Sequence, residues 1–463
     1  MQNLTARLFN FREGEFPLAV LSALFYFCVL CGYYFLRPVR EAMGVSRGMD
    51  DLRWLFIGTS IVSLLVVLAF GGVVSRLDRR RFIPIGYLFV IVCLFGFAGL
   101  LIADALAGGG LIGTDAGTTF ALVVGYTFFM WLTVINLFVN SLFWAFMVDV
   151  FTVDQGKRMF AFIGIGGTLG AIFGGWATNV VSGMTDSVYL SPGLMLVGAA
   201  FFAGSIWTML TLDRRAVASV HSRLTASSGV AAGGGREAQR IGGSYLDGIK
   251  EVATSPYLLG IAIYIVFLAI GNTLLYFTQA VLVSEATDSF SQRVASFAQL
   301  DMLAQIATLI TQMFITTQLI KRVGVGWTLS VLPLVTLAGF SILAFWPLFG
   351  VFAIFNALQR ATRYAVSRPA RETLFSVVPP AEKYKAKPLI DVFLYRGGDV
   401  AGAAIDGAIR AIGLSFAGVA AATLPFAGIW CVLCLALGRT QQRLDQERPP
   451  SASQPAPQAA GAP

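Results

Sequence analysis

Long runs of apolar residues, separated by short polar stretches, set the pattern of this chain. A helix needs roughly 20 apolar residues to cross a bilayer. By that measure the pattern predicts twelve spans. Six fall in the first half, at 16–36, 52–74, 82–104, 119–147, 160–182 and 190–212. Six fall in the second, at 256–283, 294–320, 327–346, 348–368, 387–411 and 414–437. Strands of a membrane barrel would be shorter and would alternate apolar with polar positions, and these runs do neither. Between the two sets lies 213–250, rich in Ser, Ala, Gly and Arg, which reads as a flexible cytoplasmic linker. From 440 onward the chain is polar and then Pro/Ala-rich, the composition of a disordered tail. The expected organisation is therefore 1–212, 213–250, 251–439 and 440–463. Leu4, Leu8, Phe9 and Phe11 suggest a short helix lying on the membrane surface. The first apolar run reads as a retained span rather than a cleaved leader.

Composition agrees. The 463 residues are 56% hydrophobic and only 13% charged, with a mean hydropathy of +0.74. A soluble domain is about a quarter charged, so lipid must solvate most of this chain. The formal charge of +8 invites a nucleic-acid reading, but its placement gives another account. With the N-terminus inside, most Lys and Arg fall on the inner side, including Lys157, Arg158, Lys321 and Arg322. The basic balance is topology: a multi-pass protein of the inner cell membrane, both termini cytoplasmic, binding no nucleic acid. The five cysteines all lie in predicted spans and read as small apolar helix residues. The single histidine, His221, sits in the linker. A metal site, a cofactor and histidine-based catalysis inside the membrane are therefore not expected.

The two halves look like repeats. After the fourth span the chain reads DQGKRMFAFIGIGGTLGAIFGG, and after the tenth EKYKAKPLIDVFLYRGGDVAGAAIDG. This correspondence sets Gly166 against Gly397. Aligning YYFLRP with LYFTQA sets Arg37 against Gln279. Gly166, Gly170 and Gly174 recur every four residues, as do Gly398 and Gly402, and such faces let helices approach closely. The expected fold class is all-α integral membrane, twelve helices as two pseudo-symmetric six-helix bundles, in the manner of major facilitator transporters. In that architecture the substrate sits between the halves near mid-membrane.

Charged groups inside a span cost about 2.5–3.5 kcal/mol each at the helix centre, so each needs a reason. Arg37 and Arg40 end the first span three residues apart. Either they reach the outer interface or pair with Glu41, Asp50 or Asp51, or they bind an anion through forked donors. Tyr33, Tyr34 and Phe35 before them either stack a ring or pack. Arg360, Arg363, Ser367 and Arg371 share a stripe at the end of the tenth span, as cytoplasmic anchors or as a cationic lining. Arg396 and Asp399 either neutralise each other or act on substrate. Asp301, the lone acid of its span, either carries a proton or answers Arg40 or Arg396. Asn136 and Asn140 either glue helices or bind ligand. The substrate-binding candidates are Arg37, Arg40, Tyr34, Asn136, Asn140, Arg360, Arg363 and Arg396. The coupling or gating candidates are Glu41, Asp149, Asp301, Asp391 and Asp399.

Three stretches resemble the ATP/ADP translocase family of intracellular bacteria and plastids. The first is YYFLRPVREAMGV. The second is FWAFMVDVFTVDQGKRMFAFIGIGG, whose Phe143, Trp144, Thr152, Val153, Asp154, Lys157 and Arg158 match the family's FW and T-V-D-x-x-K-R pattern. The third is KYKAKPLIDVFLYRGGD, through Lys385, Lys387, Ile390, Asp391, Gly397 and Gly398. Arg40 stands where the family has a required lysine. The family's acids upstream of the FW pair and in the seventh span have no counterpart in MWLTVINLFVN and GNTLLYFTQA. The resemblance implies alternating access and an anionic, phosphorylated substrate, with nucleotide exchange as the leading expectation; a monomer in the bilayer is the expected working unit. A proton-coupled carrier of another organic anion or drug is the alternative, using Asp301 or Asp399. A membrane sensor or enzyme stands behind both, and the chain carries no soluble catalytic domain to favour it.

Overall fold

A computed structural model describes residues 15–74, 79–112, 118–226, 245–413 and 416–447. The expected surface helix at 4–11 and most of the tail lie outside these residues. The described chain is helical. The first half comprises α1 (Glu15–Val45), α2 (Met49–Val74), α3 (Arg79–Leu106), α4 (Thr119–Val150), α5 (Val153–Met184) and α6 (Leu190–Ala226). A short α7 (Tyr245–Thr254) leads into the second half: α8 (Pro256–Ala286), α9 (Phe290–Phe314), α10 (Thr316–Phe345), α11 (Phe349–Ala361), α12 (Arg368–Leu374), α13 (Pro380–Pro388), α14 (Tyr395–Ala411) and α15 (Phe416–Gln446). Among the described residues, eight helices are long and apolar enough to cross a membrane.

Local sequence sets several starts. The Thr118 hydroxyl accepts from the Ala121 amide at 3.1 Å and opens α4. Thr152 and Gln155 form a reciprocal capping box at α5. Ser255 caps α8 with Pro256 in its first turn, and Ser289 caps α9.

Several expected boundaries move. The first span was expected to end at 36, yet α1 runs through Pro38 to Val45. Arg37 and Arg40 therefore lie inside a helix, not at its outer end. The eighth span was expected to reach 320. Instead α9 stops at Phe314, and α10 bends at Gly324, whose φ of +78° suits a residue without Cβ. No charge falls between Leu309 and Ile320, so the charge pattern marks the boundary only at Lys321 and Arg322, seven residues after Phe314. The expected linker is helical at both ends, through Ala226 and from Tyr245, and α15 carries the expected tail to Gln446. The tenth and eleventh spans each contain a π-helical stretch, Thr362–Ser367 and Leu389–Leu394.

Glycines govern packing within each half. A Cβ on Gly166 would stand 2.4 Å from the Ala23 carbonyl oxygen, and one on Gly170 2.3 Å from that of Phe27. Thus α5 lies directly on the backbone of α1. In the second half α14 lies on α8 in the same way, Gly398 against Ala269 and Gly402 against Thr273. The sequence correspondence paired Gly166 with Gly397, but Gly397 faces open space and the contact passes to its neighbour Gly398.

The halves meet mainly through α9, which lies against α1 and α5. Along α1 the rungs are Arg293 to Ser46 (3.0 Å), Asp301 to Arg37 (2.6 Å) and Gln305 to Tyr34 (2.5 Å). Along α5 and the loop after it they are Asn179 to the Ala295 carbonyl (2.9 Å) and Asp186 to Ser289 (2.9 Å). A second seam joins α2 to α14, where Arg53 reaches Asp406 at 3.0 Å. Each of these pairs lies at or beyond the Tyr34–Gln305 rung, toward the end of the bundle away from Glu15 and Gln446.

Candidate functional site

The interior of α1 carries the first part of the site. Arg40 is 8% exposed. Its guanidinium donates to the Thr133 hydroxyl of α4 at 2.9 Å, pairs with Glu41, and lies 4.9 Å from the centre of the Phe129 ring. Glu41 is buried too, and its other oxygen accepts from the Tyr276 hydroxyl of α8 at 2.8 Å. This single carboxylate thus connects two arginines of the first half to a helix of the second. Arg37 stands 3.7 Å from Glu41, with its Cζ 5.8 Å from the Tyr34 ring centre.

The second part comes from α9, α11 and α14. Asp301 is 1% exposed, and one of its oxygens accepts from both Arg37 and Arg360, each at 2.6 Å. The sequence had suggested Arg40 or Arg396 as its partner. The structure replaces them with Arg37 across the interface and Arg360 within the half. One turn further, Arg363 donates to the Tyr364 hydroxyl at 2.5 Å with its Cζ 4.3 Å from that ring's centre. Arg396 pairs with Asp399 at 3.0 Å, as the three-residue spacing suggested, and Thr273 donates to the same carboxylate at 3.3 Å. The Tyr395 hydroxyl accepts from Asn272 of α8 at 3.5 Å.

Direct contacts join three guanidiniums, of Arg37, Arg40 and Arg360, to two carboxylates, of Glu41 and Asp301, while Arg363 on Tyr364 and the Arg396–Asp399 pair stand beside them without touching those acids. Together these groups form a cluster with an excess of two positive charges between the halves. Arginine forks match phosphate oxygens, so the arrangement can hold a polyanion.

Other candidates fall elsewhere. Asn140 donates to the carbonyl and side-chain oxygens of Asn136, each at 2.9 Å, and accepts from Tyr26 of α1 at 3.2 Å. These amides hold α4 to α1. Asp149 is exposed near the end of α4. Asp391 lies in the second π-helical stretch, 3.7 Å from Arg371, and does not join the cluster. Arg37 and Arg40 make no pair with Asp50, which pairs instead with Arg53.

Sequence reasoning missed Thr133, Tyr276, Tyr364 and Gln305. It also missed a polar chain in which Gln359 donates to Asn272 at 3.0 Å and Asn356 to Gln279 at 3.1 Å. The available signal was one already applied to the charges: a polar side chain inside an apolar span needs a partner. Extending it to amides and hydroxyls finds Asn272, Tyr276 and Gln279 on α8.

The model of the TLC ATP/ADP transporter family matches residues 1–439. Among curated proteins the chain is 22% identical over 465 residues to ADP,ATP carrier protein 2, chloroplastic, of Arabidopsis thaliana, covering 92% of this chain and 74% of that one. It is 22% identical over 463 residues to ADP,ATP carrier protein 1 of Chlamydia pneumoniae, covering 87% and 86%. Among solved structures, the nucleoside transporter NupG superposes with a TM-score of 0.56 at 16% identity, covering 94% of this chain and 100% of that one. A bacterial homologue of the iron transporter ferroportin in its inward-facing state gives 0.61 at 12% identity, covering 91% and 99%. These neighbours establish the major-facilitator-like fold expected from the repeats.

Proposed function

Because the chain belongs to the TLC ATP/ADP transporter family, we propose that it is a secondary transporter exchanging nucleotides of the ATP/ADP type across the inner cell membrane, with both termini cytoplasmic. The observation that carries this reading is the cationic cluster between the halves. Five arginines outnumber their three acids at the place where this fold binds cargo.

The mechanism follows from the contacts. Phosphate oxygens draw Arg37 and Arg40 from the first half and Arg360 and Arg363 from the second. A polyanion held by both halves brings them together, and release lets them part. The Tyr364 ring beside Arg363 supplies a face for stacking a base. Glycine contacts at Gly170 and Gly402 keep α5 on α1 and α14 on α8, so each half moves as a body. The cross-half pairs gather at the end away from the termini, which supports an inward-facing reading of this conformation. No bond is made or broken, and the chain is a carrier rather than an enzyme. It works as a monomer, with the segment around 227–244 joining the halves.

The test is uptake of labelled ATP into liposomes holding purified protein, with and without ADP inside. Uptake requires internal ADP, and Arg40→Ala lowers it at least about tenfold. A size-exclusion profile matching wild type shows that the variant is folded. Uptake driven by a pH gradient with no internal nucleotide would replace exchange by proton coupling. No uptake by folded wild type would sink the nucleotide reading.

A further inference from the structure

We propose that Asp301 is an internal stand-in for the substrate's phosphate: in the empty carrier its carboxylate occupies the arginine pair that cargo must take. The proposal rests on the transport reading above and names the residue that regulates that site.

The geometry is specific. One Asp301 oxygen accepts from Arg37 Nη1 and Arg360 Nη1, each at 2.6 Å. Phosphate oxygens accept from guanidinium in the same way. The second oxygen of Asp301 is buried and accepts no hydrogen bond from the protein. The carboxylate is thus committed to the arginines rather than to its own helix. Arg37 belongs to the first half, while Asp301 and Arg360 belong to the second. The contact is also the middle rung of the ladder between α1 and α9, with Arg293–Ser46 on one side and Gln305–Tyr34 on the other. Anion binding and contact between the halves therefore draw on the same guanidinium.

Incoming phosphate competes with Asp301 for Arg37 and Arg360. When it wins, the rung opens and the halves are held by cargo instead. When cargo leaves, Asp301 returns to the pair and the carrier settles in one state. Asp301 touches the arginines rather than the cargo, so it is a positioning residue. Replacing its charge leaves Arg360 without its anion and Arg37 with only Glu41, 3.7 Å away. Binding then tightens while turnover slows, because release must strip cargo from uncompensated charge. A purely structural acid would shift neither quantity in this opposed way.

The experiment uses the full-length protein in lipid nanodiscs and liposomes, with ATP and inorganic pyrophosphate as separate probes. Asp301→Asn, which keeps the shape, binds both probes at least about tenfold tighter and exchanges with lower KM and lower kcat. Asp301→Glu, which keeps the charge, stays near wild type. Affinity in Asp301→Asn that is unchanged, weaker or absent for both probes overturns the proposal. Arg37→Gln is the companion should Asp301→Asn not fold: it weakens pyrophosphate binding at least about tenfold, and a value within twofold of wild type overturns the proposal equally. Wild type that binds pyrophosphate but no nucleotide would end the nucleotide reading alone, and Asp301 would then be judged on pyrophosphate.

Discussion

A buried charge in this molecule is held by its partners, and the Asp406 site shows how far this goes. Asp406 is 1% exposed and accepts from Arg53 of α2 at 3.0 Å and from Arg410 at 3.0 Å. Asp406→Asn should cost roughly 1–3 kcal/mol, since it leaves charged donors with a weaker acceptor. Combining it with Arg53→Gln should cost less than the two separate losses added together. Thermal unfolding in detergent measures the cycle, and strict additivity would mean that the pair is not coupled. Arg37, Arg40, Arg360 and Asp301 were each legible in the sequence as charges in an apolar run. Their partners were legible only when local: Arg396 and Asp399 are three residues apart, whereas Arg37 and Asp301 are joined through tertiary packing. Periodicity fixes which residues share a helix face, not which face a distant helix turns toward it.

At the level of elements, glycine positions set how closely the helices approach. Gly170→Ala would drive a Cβ into the Phe27 carbonyl oxygen, which is backbone and cannot move aside. The expected cost is about 1–3 kcal/mol, with loss of α5 seating on α1. Gly397→Ala is the contrast, because nothing lies within 4 Å of its added Cβ. It should be neutral or stabilising by up to about 1 kcal/mol through helix propensity. Equal losses in thermal stability for the two variants would refute the packing account. The four-residue glycine spacing was readable in advance, since it is a property of one helix. The break at Ile315 was not, because neither a charge nor a proline stands there; the bend at Gly324, by contrast, follows Lys321 and Arg322, which the sequence had already placed between two spans.

For the whole molecule, two predictions concern its response to field and to acid. Exchange of ATP for ADP moves about one net charge, worth roughly 2.3 kcal/mol per 100 mV. Rates in liposomes should therefore differ between zero and large imposed potential, and equal rates would count against that stoichiometry. At the end of the bundle away from the termini, Asp186 accepts from Ser289 and Ser291, and these hydroxyls hold its carboxylate below the ordinary value of 3.8. A depressed acid contributes stability above its unfolded value and loses it as pH falls through the folded value. The loop contact should thus persist unchanged from neutral pH down to about pH 4 and weaken only below that. Spin labels at Thr185→Cys and Asp288→Cys would report it, and separation already at pH 5 to 6 would contradict this. The all-helical, major-facilitator-like plan was legible from hydropathy and repeats. Which end carries the cross-half pairs was not, because those pairs depend on how distant helices turn toward one another.

The π-helical stretches at Thr362–Ser367 and Leu389–Leu394 carry a consequence for lineages rather than for one molecule. A π-turn holds about one residue more than an α-turn, and such single-turn bulges are frequent at functional sites. Elsewhere in a tightly packed span, losing one residue rotates everything downstream by about 100°. Within these two stretches a deletion can be absorbed by conversion to an α-turn, leaving Arg371, Arg396 and Asp399 in place. A scan of single-residue deletions along both spans should find its survivors there, apart from deletions that remove Arg363 or Tyr364. These are the points at which chain length could drift during descent while the arginine cluster stayed intact.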